Sequence, residues 1–174
     1  FLIYNPLVML KFHQQGKMDG PKVAAALIHC FPAASRFLDV GSGTGTLAAA
    51  LSRGGRNAVA CERSRVGRYI AKRQGVDCRP FDLLKTPPAE IPGHVDVVSC
   101  FEVAEHLSAP LGGKLVEFLS GFRVPVVFTA AQPGQGGTGH INEQPKAYWI
   151  KRFENNGLGY DSSLTEEFRS QLLR

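Results

Sequence analysis

A short glycine-rich segment, Asp39-Val-Gly-Ser-Gly-Thr-Gly45, constrains the fold of this chain more than any other feature. It lies between an apolar run, residues 36–40, and a stretch with helical spacing of alanine and leucine, residues 46–53. Glycine permits the sharp turn that joins a buried strand to a helix, and it leaves the backbone amides open to a ligand. The free N–H groups and positive dipole at the start of the helix favour such a ligand. The segment therefore predicts a strand–turn–helix unit with a binding site at the turn.

Apolar runs of strand length alternate with helical patterns along the rest of the chain. Such alternation is typical of βαβ crossovers and predicts a parallel sheet covered by helices on both faces. We expect an α/β fold, with a Rossmann-like, doubly wound, mostly parallel sheet. Strands are predicted at residues 36–40, 57–61, 95–101 and 125–130, within 75–79 and near 158–160, and helices at residues 22–31, 46–53, 64–74, 111–121 and 146–156.

Composition narrows the class of protein. Of the 174 residues, 44% are hydrophobic and 20% are charged, which favours one globular domain and excludes disordered and fibrous classes.

The apolar start of the chain is too short for a membrane span and lacks signal-peptide features. It begins without Met, so we expect a truncated start. Cys30, Cys61, Cys78 and Cys100 form no C-x-x-C pair, which argues against a zinc site. Cys61, Cys78 and Cys100 lie in apolar runs, which predicts buried thiols in a reducing cytoplasm.

The net charge of +5 is unevenly distributed. Residues 52–80 carry eight basic side chains against two acidic ones, whereas residues 81–110 carry five acidic side chains against one basic one. Arg65, Arg68 and Lys72 form a stripe that is either a nucleic-acid contact or a solvated helix face. The lack of interleaved aromatic residues favours the solvated face. We therefore look for chemistry in the acidic block.

The glycine segment, followed by Glu62 at the end of the second predicted strand, resembles the cofactor site of class I S-adenosylmethionine-dependent methyltransferases. It departs from the dinucleotide fingerprint because Thr46 occupies the place of the third glycine. The resemblance covers nearly the whole chain. It implies that Asp39 and the turn hold the methionine part of the cofactor, that Glu62 accepts from both ribose hydroxyls, and that Asp82 flanks the adenine. The implied cofactor residues are Asp39, Gly41, Ser42, Gly43, Gly45, Glu62, Arg63, Asp82, Leu83, Phe101 and Glu102. The alternative is a tight turn that binds no nucleotide, with Asp39 as a buried acid.

The resemblance also implies a domain layout. Residues 1–35 would form a helical segment on the cofactor side, and residues 36–174 the methyltransferase domain, truncated at both ends. The sheet of this superfamily closes with an antiparallel strand, and the polar sequence after the last predicted strand does not supply one. Lys17, Met18 and Asp19 are candidates to contact cofactor or substrate, with ordinary surface positions as the alternative.

A second group of reactive side chains follows the fourth predicted strand, in Phe101-Glu-Val-Ala-Glu-His-Leu107. In a helical turn, Glu102, Glu105 and His106 would share one face. Two carboxylates beside an imidazole are costly unless a positive charge joins them, and such mixed ligands suit Mg, Mn, Fe or Zn. In the alternative reading, Glu102 lines the cofactor pocket, Glu105 caps a helix or forms an ion pair, and His106 is structural.

The same motif resembles that of ubiquinone-pathway methyltransferases. In ubiquinone-biosynthesis O-methyltransferases and small-RNA 2′-O-methyltransferases it is similar to a metal site, and in the small-RNA group a further histidine follows the fifth strand. His140 occupies that place here, within the glycine- and glutamine-rich residues 131–144. The residues around it differ from the small-RNA pattern, which argues against an RNA substrate. The implied ligands of one divalent cation are Glu102, Glu105, His106 and His140.

The expected reaction is transfer of the methyl group of S-adenosylmethionine to a hydroxyl of a small molecule, which leaves S-adenosylhomocysteine (SAH). Orientation of the two reactants supplies most of the rate enhancement. If no metal binds, His106 or His140 would act as general base, and Glu102 is the third catalytic candidate.

Two other functions remain open on the sequence: 2′-O-methylation of RNA, and a non-catalytic module that binds cofactor or a partner. Residues 131–144 form either a lid or substrate loop, with Asn142, Gln144 and Trp149 as contacts, or an ordinary connection. The sequence predicts no oligomeric state.

Overall fold

The computed structural model describes residues 6–85, 91 and 94–173. Its strands are β1 (Arg36–Val40), β2 (Asn57–Glu62), β3 (Asp77–Pro80), β4 (Val97–Phe101) and β5 (Val126–Thr129). Its helices are α1 (Pro6–Cys30), α2 (Thr46–Arg53), α3 (Arg65–Arg73), α4 (Ala109–Ser120), α5 (Lys146–Asn155) and α6 (Ser162–Leu172), with a 3₁₀ turn at Ala104–His106. The apolar chain start, residues 1–5, and Glu90 of the acidic block lie outside the described residues.

The strands form one sheet in the order β3-β2-β1-β4-β5, and every neighbouring pair is parallel. Consecutive strand residues point to opposite faces: Phe37 and Val97 join the core beneath α1 and α2, whereas Leu38 and Val98 join the core beneath α4 and α5. The sheet is therefore buried on both faces, as the apolar strand sequences require. The predicted fold class, a Rossmann-like, doubly wound α/β sheet, is confirmed.

The chain reverses its direction of winding at β1. The strand that follows it, β2, lies on one side, and β4 lies on the other. Because all strands are parallel, their carboxyl ends meet at one edge, and open α/β sheets bind ligands at the crevice of such a reversal. The segments after β1, β2 and β4 therefore come together there.

The first helix is much longer than predicted. The sequence predicts a helix over 22–31 that opens at Gly20-Pro21, whereas α1 runs from Pro6 to Cys30 with Pro21 inside it. Proline removes a helix hydrogen bond, but close packing against the start of α2 holds α1 in place. A Cβ at Gly20 would lie 3.1 Å from the carbonyl oxygen of Thr46, and one at Gly16 would overlap the Thr46 hydroxyl. None of the described helices, α1 included, combines the length and apolar character that a membrane crossing needs.

The predicted strand near 158–160 is absent. Among the described residues, no strand follows β5, and β5 is the edge of the sheet. The N–H of Leu158 donates to the carbonyl of Phe153 at 3.0 Å, so this backbone closes the end of α5 instead of pairing with a strand. The polar sequence that follows forms α6, which begins where the Asp161 carboxylate accepts the N–H of Leu164 at 2.8 Å.

Candidate functional site

The glycine turn, residues 41–45, closes the end of β1 against the end of β2. The N–H groups of Gly41 and Ser42 both donate to the carbonyl of Cys61, at 2.8 and 3.1 Å. Gly41, Gly43 and Gly45 have φ values of 75°, 56° and 74°, in the left-handed region that favours glycine. The turn leads directly into α2, so the predicted strand–turn–helix unit is confirmed.

The carboxylate of Glu62, at the end of β2, is joined to this turn. Its Oε2 accepts the N–H of Gly43 at 2.9 Å, and its Oε1 accepts the N–H of Ser64 at 2.6 Å. Arg68 donates to the Glu62 carbonyl at 2.9 Å, which anchors the backbone as well. Burial raises the pKa of the Glu62 carboxyl, although the backbone hydrogen bonds oppose the rise. Two of the predicted cofactor residues, Gly43 and Glu62, are therefore in direct contact.

Asp39 is buried at the carboxyl end of β1. Its Oδ1 accepts a hydrogen bond of 2.9 Å from the hydroxyl of Ser99, which lies directly opposite in the β1–β4 register. Burial raises the pKa of Asp39 to about 7, and the Ser99 bond opposes this rise. The sequence prediction missed Ser99. The sequence does contain a signal for it, because Ser99 is a polar residue in the middle of an otherwise apolar strand and a buried polar side chain needs a partner.

Asp82 follows β3, and the structure pairs it with another predicted cofactor residue. Its Oδ2 lies 3.7 Å from Nε of Arg63, an exposed guanidinium. Leu83, the next residue, is half-buried. Phe101, at the end of β4, stacks on Phe168 of α6 with ring centroids 6.4 Å apart. Asp82 follows β3, Arg63 follows β2 and Phe101 ends β4, so all three lie at the carboxyl edge of the sheet.

The first half of α1 lies across the glycine turn, a contact that the sequence prediction did not resolve. Nδ1 of His13 is 3.1 Å from the hydroxyl of Thr44 in the turn. The three candidates in this region, Lys17, Met18 and Asp19, are all exposed. His13 is thus the residue of this helix that reaches the turn through a side-chain hydrogen bond.

The expected face of Glu102, Glu105 and His106 does not form. Glu102 has φ 54°, in the left-handed region, so the backbone is not helical from 102 to 106, and only Ala104–His106 forms a 3₁₀ turn. The Oε1 atom of Glu102 accepts the hydroxyl of Thr129 at 2.7 Å. The shared helical face therefore does not form, but the negative charge of Glu102 still lies close enough to Glu105 to help raise the pKa of Glu105.

The other three predicted ligands do converge. One ligand atom each from Glu105, His106 and His140 lies within 4.8 Å of the others. Glu105 is fully buried, and within the described part of the chain neither of its carboxylate oxygens has a hydrogen-bond partner of normal geometry. Burial, together with the negative charge of Glu102, raises the pKa of Glu105 to about 7. This leaves a buried acid beside a second carboxyl, that of Glu102, and two imidazoles.

Hydrogen bonds orient both imidazoles of this group. Nδ1 of His106 lies 3.2 Å from the carbonyl oxygen of Gly139, and Nδ1 of His140 lies 3.0 Å from Oε1 of Glu143. Oxygens of this kind only accept, so each Nδ1 carries the hydrogen in the neutral ring and each Nε2 keeps its lone pair. Burial lowers the pKa of His106, so its neutral form is favoured near pH 7.

The glycine-rich residues 131–144 are docked on the 3₁₀ turn. The N–H groups of Ile141 and Asn142 both donate to the carbonyl of Glu105, at 2.8 and 3.1 Å. Asn142 is buried and its amide donates to the Ala104 carbonyl, while Gln144 donates to the Asn142 side chain at 3.0 Å. Trp149 lies in the core. Of the predicted contact residues, Asn142 and Trp149 therefore have structural positions.

The basic stripe of α3 is divided between two roles. Arg65 and Lys72 are exposed, whereas Arg68 is half-buried and donates to backbone carbonyls at the end of β2. The stripe is thus partly a structural brace rather than a continuous charged surface.

A family model described as a methyltransferase domain matches residues 13–119. This match covers more than half of the chain and includes the glycine turn, Glu62, Asp82 and the 3₁₀ turn. The chain belongs to this methyltransferase family. The family and the fold support the predicted enzyme class, an S-adenosylmethionine-dependent methyltransferase. No curated protein matches this methyltransferase at a significant level.

Solved structures of low sequence identity share the fold of this methyltransferase. The N-terminal domain of EvdMO1 with SAH bound is 20% identical, with a TM-score of 0.62 over 80% of this chain and 71% of that one. Magnesium protoporphyrin IX methyltransferase (ChlM) from Synechocystis PCC 6803, with bound SAH, is 17% identical, with a TM-score of 0.66 over 85% and 78%. The mitomycin 7-O-methyltransferase MmcR is 19% identical, with a TM-score of 0.63 over 83% of this chain and 48% of that one. At these identities the likeness establishes the fold.

Proposed function

We propose that this methyltransferase transfers the methyl group of S-adenosylmethionine to a hydroxyl of a small molecule, with one divalent cation at Glu105, His106 and His140. The observation that carries the proposal is the buried, unpartnered carboxyl of Glu105 beside two oriented imidazoles. An unpaired buried carboxylate is costly, and a cation would offset that cost. The neighbouring structures with SAH support the donor, and MmcR supports an oxygen acceptor.

The side chains of this group fit a cation. Imidazole and carboxylate together suit Mn, Fe or Zn better than Mg, which prefers oxygen ligands. Both imidazoles donate through Nδ1, and metal-binding histidines commonly fix their second nitrogen in this way. When bound, a cation would lower the pKa of an acceptor hydroxyl. Glu102 is proposed as a pocket and catalytic residue outside this ligand set.

The geometry at the strand ends supports the predicted cofactor residues. Asp39 and the glycine turn would bind the methionine part of the donor, and Glu62 the ribose. Asp82 would accept from the adenine amino group, with Arg63, Leu83 and Phe101 around it. Without a bound cation, His106 or His140 would instead accept the hydroxyl proton through Nε2. We further propose that residues 1–35 are the helical segment on the cofactor side of the domain 36–174, and that the free cysteines reflect a cytoplasmic location.

The 2′-hydroxyl of RNA is the second candidate acceptor. It would need a basic surface, and Arg68 of the predicted stripe is engaged with the end of β2. The engagement of Arg68 supports a small molecule as the acceptor, although Arg65 and Lys72 remain exposed. Transfer from labelled donor to a panel of hydroxylated small molecules and to short RNA, with mapping of the methylated atom, distinguishes these acceptors and detects transfer to nitrogen.

Calorimetry with SAH and titration with Mn²⁺ test the proposal. We expect SAH to bind, and Mn²⁺ to bind to the natural protein and to Glu117→Gln, an exposed control on α4. Glu105→Gln should lose Mn²⁺ binding and retain SAH binding. Absence of heat with SAH would contradict the proposed enzyme. It would favour the alternative, a non-catalytic module that binds a partner. Equal Mn²⁺ binding by Glu105→Gln would contradict the cation site.

A further inference from the structure

We propose that Glu143 is a positioning residue that keeps the hydrogen of His140 on Nδ1, and so keeps the Nε2 lone pair for an acceptor hydroxyl or a cation. The use of that lone pair rests on the proposed function. The orientation itself rests only on the contacts of Glu143, which was not among the predicted site residues.

The Glu143 carboxylate gathers three donors from residues 131–144. Its Oε2 accepts the N–H of Gly134 at 2.8 Å, and its Oε1 accepts the N–H of Gly136 at 2.8 Å and Nδ1–H of His140 at 3.0 Å. An ionised carboxylate only accepts hydrogen bonds, so it can accept from all three donors at once. One side chain therefore orders the glycine-rich segment and selects the tautomer of the histidine.

The His140 ring is also confined from the opposite direction. Gly137, with φ 156°, lies so close that a Cβ there would overlap Nε2 and Cε1 of the ring. The His140 side chain is only 13% exposed, and that of Glu143 20%. The backbone on the other side of His140 is tied to the carbonyl of Glu105 through Ile141. The ring is therefore held in one place, with Nδ1 toward Glu143.

Loss of the carboxylate would free the imidazole. The hydrogen position on a neutral histidine is set by the hydrogen bond that the other nitrogen makes, so both tautomers become available without Glu143. Removal of such outer partners of metal-binding histidines lowers metal affinity by about 10–100-fold. A merely structural role for Glu143 would loosen the segment without this effect on the tautomer.

The test is long-range ¹H–¹⁵N spectroscopy of the whole chain labelled at histidine, in alkaline buffer where imidazoles are neutral. The natural protein should show His140 protonated on Nδ1, and Glu143→Ala a mixture or the reverse tautomer. Glu143→Gln should preserve the natural tautomer, because its amide oxygen can still accept at the Oε1 position. The matched control is Gln135→Ala, which removes an acceptor 3.0 Å from the Gln132 N–H in the same segment and leaves His140 untouched.

Two results would overturn the proposal: His140 protonated on Nε2 in the natural protein, or the same tautomer in Glu143→Ala as in Gln135→Ala. The tautomer of the natural protein is measured without a variant, so this result tests the proposal even if Glu143→Ala fails to fold. Mn²⁺ titration of the same samples should show affinity about 10–100-fold lower for Glu143→Ala than for Gln135→Ala. If the natural protein binds no Mn²⁺, the proposed cation fails, whereas the tautomer still decides the role of Glu143.

Discussion

The carboxylate of Glu62 accepts a hydrogen bond of 2.9 Å from the backbone N–H of Gly43. This bond joins the end of β2 to the glycine turn after β1, so the proposed ribose and methionine ends of the cofactor site form one connected unit. A change at Glu62 should therefore act on both ends of the cofactor.

Replacement of Glu62 by glutamine should weaken SAH binding by about 10–100-fold, because hydrogen bonds to a charged group contribute about 1.5–3 kcal/mol. Calorimetry measures the change. Glu117→Gln, an exposed carboxylate on α4, is the control and should bind SAH as the natural protein does. Equal affinity of the two variants would show that Glu62 does not contact the cofactor.

Replacement of Asp39 by asparagine should stabilise the protein above pH 7. The folded pKa of Asp39 is raised from 3.8 to about 7, so the folded state holds a proton that the unfolded state releases between these values. Stability is therefore lost as the pH rises through this range, by up to about 4 kcal/mol for about three pKa units. Between about pH 5 and about pH 8, which spans about two of these pKa units, urea unfolding should show a loss of about 3 kcal/mol in the natural protein and in the exposed control Asp19→Asn, but not in Asp39→Asn.

The same substitution should abolish SAH binding, because the proposed partner of Asp39 is the amino group of the cofactor. Affinity of the natural protein should rise as the pH rises through about 7, where the carboxylate forms. An SAH affinity in Asp39→Asn equal to the natural value would contradict the assignment. A stability difference between Asp39→Asn and the natural protein that is independent of pH would contradict the raised pKa of Asp39.

Replacement of Glu102 by glycine should reduce methyl transfer with little change in stability. Glu102 and Arg123 have the same left-handed backbone, with φ 54° and 56°. Glycine at such a position removes about 1–2 kcal/mol of backbone strain from the folded state. It also destabilises the fold by about 0.5–1 kcal/mol, because glycine gives the unfolded chain more conformational freedom. Arg123→Gly, in the turn after α4, is therefore a matched control for stability. Comparable activity in the two variants would remove Glu102 from the reaction.

Replacement of Gly137 by alanine should displace His140, whereas Gly134→Ala should not. Both glycines have positive φ, 156° and 83°, so both substitutions strain the backbone. A Cβ at Gly137 would overlap the His140 ring, and a Cβ at Gly134 would meet no atom within 4 Å. We expect Gly137→Ala alone to lose Mn²⁺ binding. Loss in both variants would mean that backbone strain, and not the position of His140, is responsible.

Much of the fold was predictable because local patterns and tertiary packing agree. The bounds of β1 and α2 match the prediction, since an apolar run, a glycine turn and a helical pattern follow one another without conflict. The length of α1 was not predictable, because Gly20-Pro21 is a local stop signal that packing against Thr46 overrides. The prediction of a strand near 158–160 was wrong because a strand needs a partner. Among the described residues, no neighbouring strand pairs with this backbone.

The sequence by itself determined the chemistry that gathers at the carboxyl ends of the strands. Parallel topology brings those ends to one edge, so acids and glycines that end successive apolar runs must meet there. Only the tertiary structure decided which of them touch: Asp39 with Ser99, Glu62 with Gly43, and His140 with Glu143. It also removed the helical face that Glu102, Glu105 and His106 were predicted to share, because a single left-handed residue breaks the helical spacing on which that face depended. Spacing along a chain predicts a shared face only while the backbone stays regular, and this backbone departs from the helix at the site itself.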